Sequence, residues 1–328
     1  MPGNAWQTHE VATSVTSYAV AGDPTCGLHT VYSEMPEGRL WHSVERAGGD
    51  RRTLVALGGL VGSRGLAIDG AVAHVAYLDD GLRYARGEGD TWSTEAVDPN
   101  GHFAAIAVDP EGVPHLLYSA GEPSELRHAS RGVDGWSIET VDSRQSFETV
   151  LRIARDGTLH ASYQWVTSPS THSIAYASRA ARGGAWALED METLDGLETG
   201  SSSALVVAGG AAHLFYAAYR PAGGQGLRHG TAGGGRFTFE WIDDVSSSGI
   251  ETGAATLGPR GAIHVVYLDG DRTLTWAHGA PGSLALESLA SVAPPEAAGA
   301  LVAVDGADVV HVVLFHAGRL VQLRRAAP

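Results

Sequence analysis

Gly112-Val113-Pro114-His115-Leu116-Leu117-Tyr118 is a short apolar run that opens after a glycine and carries a His and a Tyr three residues apart. Versions of it recur along the chain: Leu28-His29-Thr30-Val31-Tyr32, Ala73-His74-Val75-Ala76-Tyr77, Leu159-His160-Ala161-Ser162-Tyr163, Ala212-His213-Leu214-Phe215-Tyr216 and Ile263-His264-Val265-Val266-Tyr267. The seventh copy, Val310-His311-Val312-Val313-Leu314, keeps the His and replaces the Tyr. Successive His residues are 45, 41, 45, 53, 51 and 47 positions apart. A strand-like unit repeated at this period is the signature of a β-propeller, with one blade per repeat.

Each repeat divides into four short runs. In the third they are Ala104-Ala105-Ile106-Ala107-Val108, Pro114 to Tyr118, Glu125-Leu126-Arg127-His128-Ala129 and Trp136-Ser137-Ile138-Glu139-Thr140-Val141. The segments between them, Asp109-Pro110-Glu111-Gly112 and Arg131-Gly132-Val133-Asp134-Gly135, have turn composition, since Pro fixes φ and Gly supplies positive φ. The reading is an all-β, seven-bladed propeller of four-stranded antiparallel blades, a single domain over 1–328. The last repeat stops after Arg319-Leu320-Val321-Gln322-Leu323, its third strand. Trp6-Gln7-Thr8-His9-Glu10-Val11 resembles the fourth-strand run Trp92-Ser93-Thr94-Glu95-Ala96-Val97, so the N-terminal strand is expected to complete the last blade and close the ring.

The formal net charge is −15, and all 22 basic residues are Arg. An acidic chain without Lys is a poor grip for nucleic-acid phosphates, and it forms no Schiff base of its own. The single cysteine, Cys26, allows neither an internal disulfide nor a thiolate metal cluster. No secretory leader and no membrane-spanning run is visible, so the expectation is a cytoplasmic protein that does not engage membranes. The sequence leaves its oligomeric state open.

The Gly-x-x-His-x-x-Tyr strand, followed by Leu82-Arg83-Tyr84-Ala85 and Trp92-Ser93-Thr94-Glu95, resembles bacterial seven-bladed β-propellers of the sialidase-like and lectin-like repeat type over essentially the whole chain. Such propellers host lectins, lyases, hydrolases and scaffolds alike. Gly87-Glu88-Gly89-Asp90-Thr91-Trp92 is similar to part of the sialidase Asp box, but the preceding Ser-x-Asp and the sialidase Arg motif are missing. Some propeller lectins bind a sugar between neighbouring blades through an Arg, a Glu and an aromatic ring. All three types recur here, unevenly, which makes a multivalent lectin the alternative reading and a protein-interaction scaffold a third.

A residue repeated in every blade is first a structural one. On that ground the second-strand His, the Trp that opens the fourth strand, and the pairs Arg83/Glu95, Arg127/Glu139 and Arg228/Glu240 are assigned to the scaffold. The site is expected where the repeats differ, in the connections that converge on one mouth of the channel. Those leading into the innermost strands carry Arg64, His102, Phe103, Glu148, Glu198, Glu251 and Glu296. Glu148, Glu198 and Glu251 each precede a Thr, and clustered carboxylates need an offset. A divalent cation such as Ca²⁺ held by the three, a cationic substrate or a raised pKa supplies one. Arg152, the one charge at the centre of an innermost strand, lies four residues after Glu148. It is expected to anchor the carboxylates or to bind an anionic ligand. The longer connections after the second strands add His172, Trp165, Tyr219, Arg220, Phe315 and His316 as pocket walls. The expected function is one small-molecule or sugar pocket at the channel mouth. Glu148, Glu198 or Glu251 serves as base or metal ligand and His102 or His172 as acid, in chemistry of the lyase, hydrolase or cyclase kind.

Overall fold

The computed structural model describes residues 5–25, 27–45, 49–168, 171–181, 183–220, 223–233, 236–243, 251–268, 273–294 and 298–327. Seven four-stranded antiparallel sheets follow one another along the chain. Their innermost strands are Val15–Gly22, Leu60–Asp69, Gly101–Val108, Ser146–Ile153, Thr199–Ala208, Glu251–Leu257 and Ala298–Val304. Each lies against the innermost strand of the next blade, and Ala298–Val304 lies against Val15–Gly22, so the blades form a ring.

The ring closes as the sequence implies. Gln7–Thr13 pairs antiparallel with Arg319–Ala326 and forms the outer strand of the seventh blade. Trp6 packs edge-on against Trp276 of blade 6, with ring centroids 5.3 Å apart. Joining the two ends of the chain in one sheet covers an edge that would otherwise be open to strand addition.

Hydrophobic cores lie between neighbouring blades. The second-strand residues Tyr32, Tyr77, Tyr118, Tyr163, Tyr216 and Tyr267 are all fully buried there. Among the described residues the single helix is the short turn Met191–Asp195, ended by Gly196 at φ 72°. No helix of the described residues is long and apolar enough to cross a membrane.

One local feature differs from the sequence reading and controls the site. The connections expected to carry Arg64, His102, Phe103 and Glu148 belong to the innermost strands themselves, as β-bulges near their starts, while Glu198 lies just before Thr199–Ala208. Register shifts occur between Val15 and Ser17, Val61 and Leu66, Gly101 and Ala104, Phe147 and Val150, Thr199 and Ser203, Thr252 and Ala254, and Ala298 and Ala300. A bulge re-aims the side chains it carries and breaks the two-residue alternation. That of blade 2 skips most residues, and it contains Gly65, where a Cβ would stand 2.6 Å from the Ala76 carbonyl oxygen.

Candidate functional site

In six blades the repeated His is a hydrogen-bonded fastener at the end opposite the channel mouth; His264 of blade 6 instead stacks on Trp276, with ring centroids 5.6 Å apart. His29 and His115 each place Nδ1 2.9 Å from Nε2 of a third-strand His, His42 and His128, and Nε2 near Asp23 and Asp109, at 3.0 and 3.3 Å. His213 meets His229 in the same way. Blades 2 and 4 put a Tyr in the third-strand position: His74 bonds Tyr84 at 2.6 Å and His160 bonds Tyr176 at 2.5 Å. In blade 7 His311 lies between Asp305 and Gln322. Burial pushes His42 down to about 3 and His74 and His264 down to about 4, which keeps those three imidazoles neutral.

The Arg/Glu pairs assigned to the scaffold do not form. Register places Glu139 opposite His128 and Thr140 opposite Arg127; Glu95 and Glu240 likewise face Tyr84 and His229. Arg and Glu are therefore one residue out of step and lie on opposite faces of the sheet. Arg127 and Arg228 instead bind Asp98 and Asp195, each at the end of the preceding blade, and there Tyr118 and Tyr216 also donate their hydroxyls. Asp142 repeats the arrangement with Arg144 and Tyr163.

The channel itself encloses a cavity of about 390 Å³ lined by the innermost strands. Its walls are aliphatic side chains, strand backbone and the hydroxyl residues Ser63 and Thr256, with two cations, Arg64 and Arg152. Arg64 leaves the blade 2 bulge and donates from Nη2 to the Ser203 carbonyl of blade 5 at 2.8 Å. Its Nη1 stands 3.5 Å from Oε2 of Glu148 in blade 4. Arg152 donates to the carbonyl of Leu151 at 2.9 Å and to that of Ala255, in blade 6, at 3.2 Å.

The expectation that Arg152 anchors Glu148 is thereby corrected. Counting by twos from 148 to 152 assumes an unbroken strand, and the bulge between Phe147 and Val150 removes that assumption. Glu148 itself has φ 49°, a left-handed conformation, and its carboxylate is largely exposed. Burial pulls the Arg64 guanidinium below its ordinary value and Glu148 partly offsets the shift. Arg152 is pulled to about 10 by burial and by the like charge of Arg64.

Around this centre the blade 3 bulge presents His102 and Phe103, both exposed. Phe103 stands beside Gly62 of the bulge that carries Arg64. Glu198 is exposed, and its carbonyl accepts the backbone N–H of Tyr219, a half-exposed ring at the same end of blade 5. His172 pairs with Val166 in the long hairpin of blade 4.

Other expected wall residues are held by the scaffold. Trp165 lies under Arg144, whose guanidinium is 4.0 Å from the ring centroid. Arg220 covers Trp241 at 4.3 Å. Phe315 stacks on Tyr18 and packs into the core beside blade 1, while His316 pairs with Arg319 at the hairpin end. The side chain of Glu251 and the whole of Glu296 lie outside the described residues. Among the described residues no three His, Cys, Asp or Glu side chains gather to hold a metal ion.

Three inter-blade clusters escaped the sequence reading because their members come from different repeats. Glu95 of blade 2 accepts from Arg131 at 2.7 Å and from Trp136 Nε1 at 3.0 Å, both in blade 3. Glu139 of blade 3 meets Arg179 and Trp186 of blade 4. Glu287 of blade 6 meets Arg325 at 2.7 Å and Trp6 Nε1 at 2.9 Å, both in blade 7. The tandem spacing of a third-strand Arg and a fourth-strand Trp was the available signal.

No family profile matches the chain and no curated protein matches it in sequence. Similar solved structures share the propeller fold. The polysaccharide lyase Uly1 superposes with a TM-score of 0.61 at 11% identity, over 99% of this chain and 90% of that one. YCF48 from Cyanidioschyzon merolae gives 0.63 at 12% identity, over 97% and 98%. A mutant of the Aleuria aurantia lectin, in complex with alpha-methyl-L-fucoside, gives 0.50 at 12% identity, over 87% and 99%. At these identities the likeness is one of fold.

Proposed function

We propose that the protein binds one small carbohydrate or comparable small molecule at the channel mouth and acts on it by Glu/His acid–base chemistry of the lyase, hydrolase or cyclase kind. The observation that carries this reading is the Arg64 contact set. One guanidinium ties the bulges of blades 2, 4 and 5 around a single cavity, through Glu148 and the Ser203 carbonyl. His102, on the intervening bulge, is the proposed acid and Glu148 the proposed base, with Glu198 and Glu251 on the neighbouring blades as further candidates. Phe103 and Tyr219 are exposed rings suited to a sugar face. That structures of similar fold include a polysaccharide lyase supports the substrate class.

Turnover assays against a panel of oligosaccharides, with wild type, H102Q and E148Q, test this. Loss of turnover with binding retained supports acid–base roles for both residues. Full activity in both variants contradicts them.

The second reading is a multivalent lectin whose sites are the Arg131–Glu95–Trp136, Arg179–Glu139–Trp186 and Arg325–Glu287–Trp6 clusters. It is favoured by their chemistry, an Arg, a carboxylate and an indole at one blade junction, and by the fucoside-bound lectin among the similar folds. In each cluster the Arg and the indole already bond the carboxylate, so a sugar would have to displace existing bonds.

A further inference from the structure

Two guanidiniums share one cavity of about 390 Å³, and among the described residues the one carboxylate that meets either of them is Glu148. Arg64 has Glu148 at 3.5 Å, a contact beyond good hydrogen-bond length and open to water. Arg152 donates only to peptide carbonyls among the described residues. Among the described residues the one charge acting on it is Arg64, of the same sign. The other lining side chains include the aliphatic Leu66, Ile106, Val150 and Leu205 and the uncharged Ser63 and Thr256. Both guanidiniums are half-buried, where an anionic partner stabilises a charge, and a carbonyl cross-link alone would be made as well by a neutral amide. The chain as a whole is acidic, with 37 acidic residues against 22 Arg, so its surface field attracts cations. A positive well in such a protein discriminates in favour of anions that are small enough to enter.

Resting on the reading of the channel as the ligand site, we propose that Arg64 and Arg152 together bind a small oxyanion, so that the pocket selects acidic sugars or organic acids over neutral ones. Two guanidinium forks match the geometry of a carboxylate, sulfate or phosphate group. An entering oxyanion takes the place of Glu148 on Arg64. The displaced carboxylate, already on the solvent side, is then free to accept a proton from the ligand. The exchange makes no covalent bond and consumes no co-reactant.

The test is titration calorimetry on the full chain with D-glucuronate, D-glucose and sodium sulfate, on wild type, R64M, R152M, R152K and E148Q. The expected result is one glucuronate per chain, bound at least tenfold more tightly than glucose and displaced by sulfate. R64M and R152M lose that preference at least tenfold, R152K retains part of it, and E148Q binds glucuronate several-fold more tightly because the internal competitor is gone. Melting temperatures provide a check that is independent of the sugar. Sulfate raises that of wild type more than that of R152M at equal ionic strength, even if R64M fails to fold.

Glucose bound as tightly as glucuronate at one site per chain overturns the oxyanion claim and leaves the single pocket standing. An equal sulfate response in wild type and R152M overturns it as well. Glucuronate bound at several sites, untouched in R152M and lost in W136A, overturns both.

Discussion

Arg64 and Glu148 face each other across the channel mouth from blades 2 and 4, Nη1 to Oε2 at 3.5 Å. Neither side chain reaches that position from a regular strand. Arg64 needs the long bulge of Leu60–Asp69, and Glu148 sits at φ 49° within the bulge of Ser146–Ile153. A non-glycine residue in the left-handed region is disfavoured by about 1–2 kcal/mol. It persists where the surrounding strands over-determine the backbone, as they do here on either side of the bulge.

That conformation separates a structural Glu148 from a functional one. E148G relieves the strained φ and is expected to leave stability unchanged or to raise it by up to about 1 kcal/mol. E148Q, which removes an exposed ion pair, is expected to shift stability by less than about 1 kcal/mol. Both lose turnover. Denaturant melts beside activity assays check this, and a loss of several kcal/mol in E148G would show the carboxylate to be a scaffold element.

Closure of the ring depends on Trp6. Its indole packs edge-on against Trp276 and donates to Glu287 at 2.9 Å. W6A is expected to cost about 2–3 kcal/mol, less than a fully buried Trp because this ring is half-buried. Calorimetry should show a melting temperature lowered by several degrees, and an unchanged one would mean that the N-terminal strand does not carry closure.

The buried imidazoles set the acid limb of stability. His42 is held near 3 and His74 and His264 near 4 in the folded state, against an ordinary value near 6.5. Between those limits the unfolded chain binds more protons, so stability falls as pH drops below 6.5. The fall amounts to about 1.4 kcal/mol per pH unit for each such imidazole until its folded pKa is reached. Above pH 7 these groups add no slope. Chemical melts from pH 7.5 to 4.5 should show the decline, and H74Q should flatten it by roughly one imidazole's share.

The fold was legible because its signals are local and repeated. His115 and Tyr118 recur with the strand that carries them, and Trp6 recurs as the head of a fourth strand. The site was legible in part. Arg64, His102, Phe103 and Glu148 were found by looking where the repeats differ. Their mutual placement was not, since a bulge leaves no mark in composition and shifts every later side chain. A one-residue slip likewise misassigned Arg127 to Glu139: register puts Thr140 opposite Arg127, whose guanidinium binds Asp98 of the preceding blade. The alternation of His42, Tyr84, His128, Tyr176 and His229 along the third strands was open to view, and it determines which blades form His–His pairs.

The most direct test of the single-pocket account is the stoichiometry of glucuronate binding by calorimetry in wild type, R64M and W136A. The account predicts one site per chain, lost in R64M and intact in W136A. About three sites per chain, reduced by W136A and unaffected by R64M, would contradict it and place the ligand between the blades.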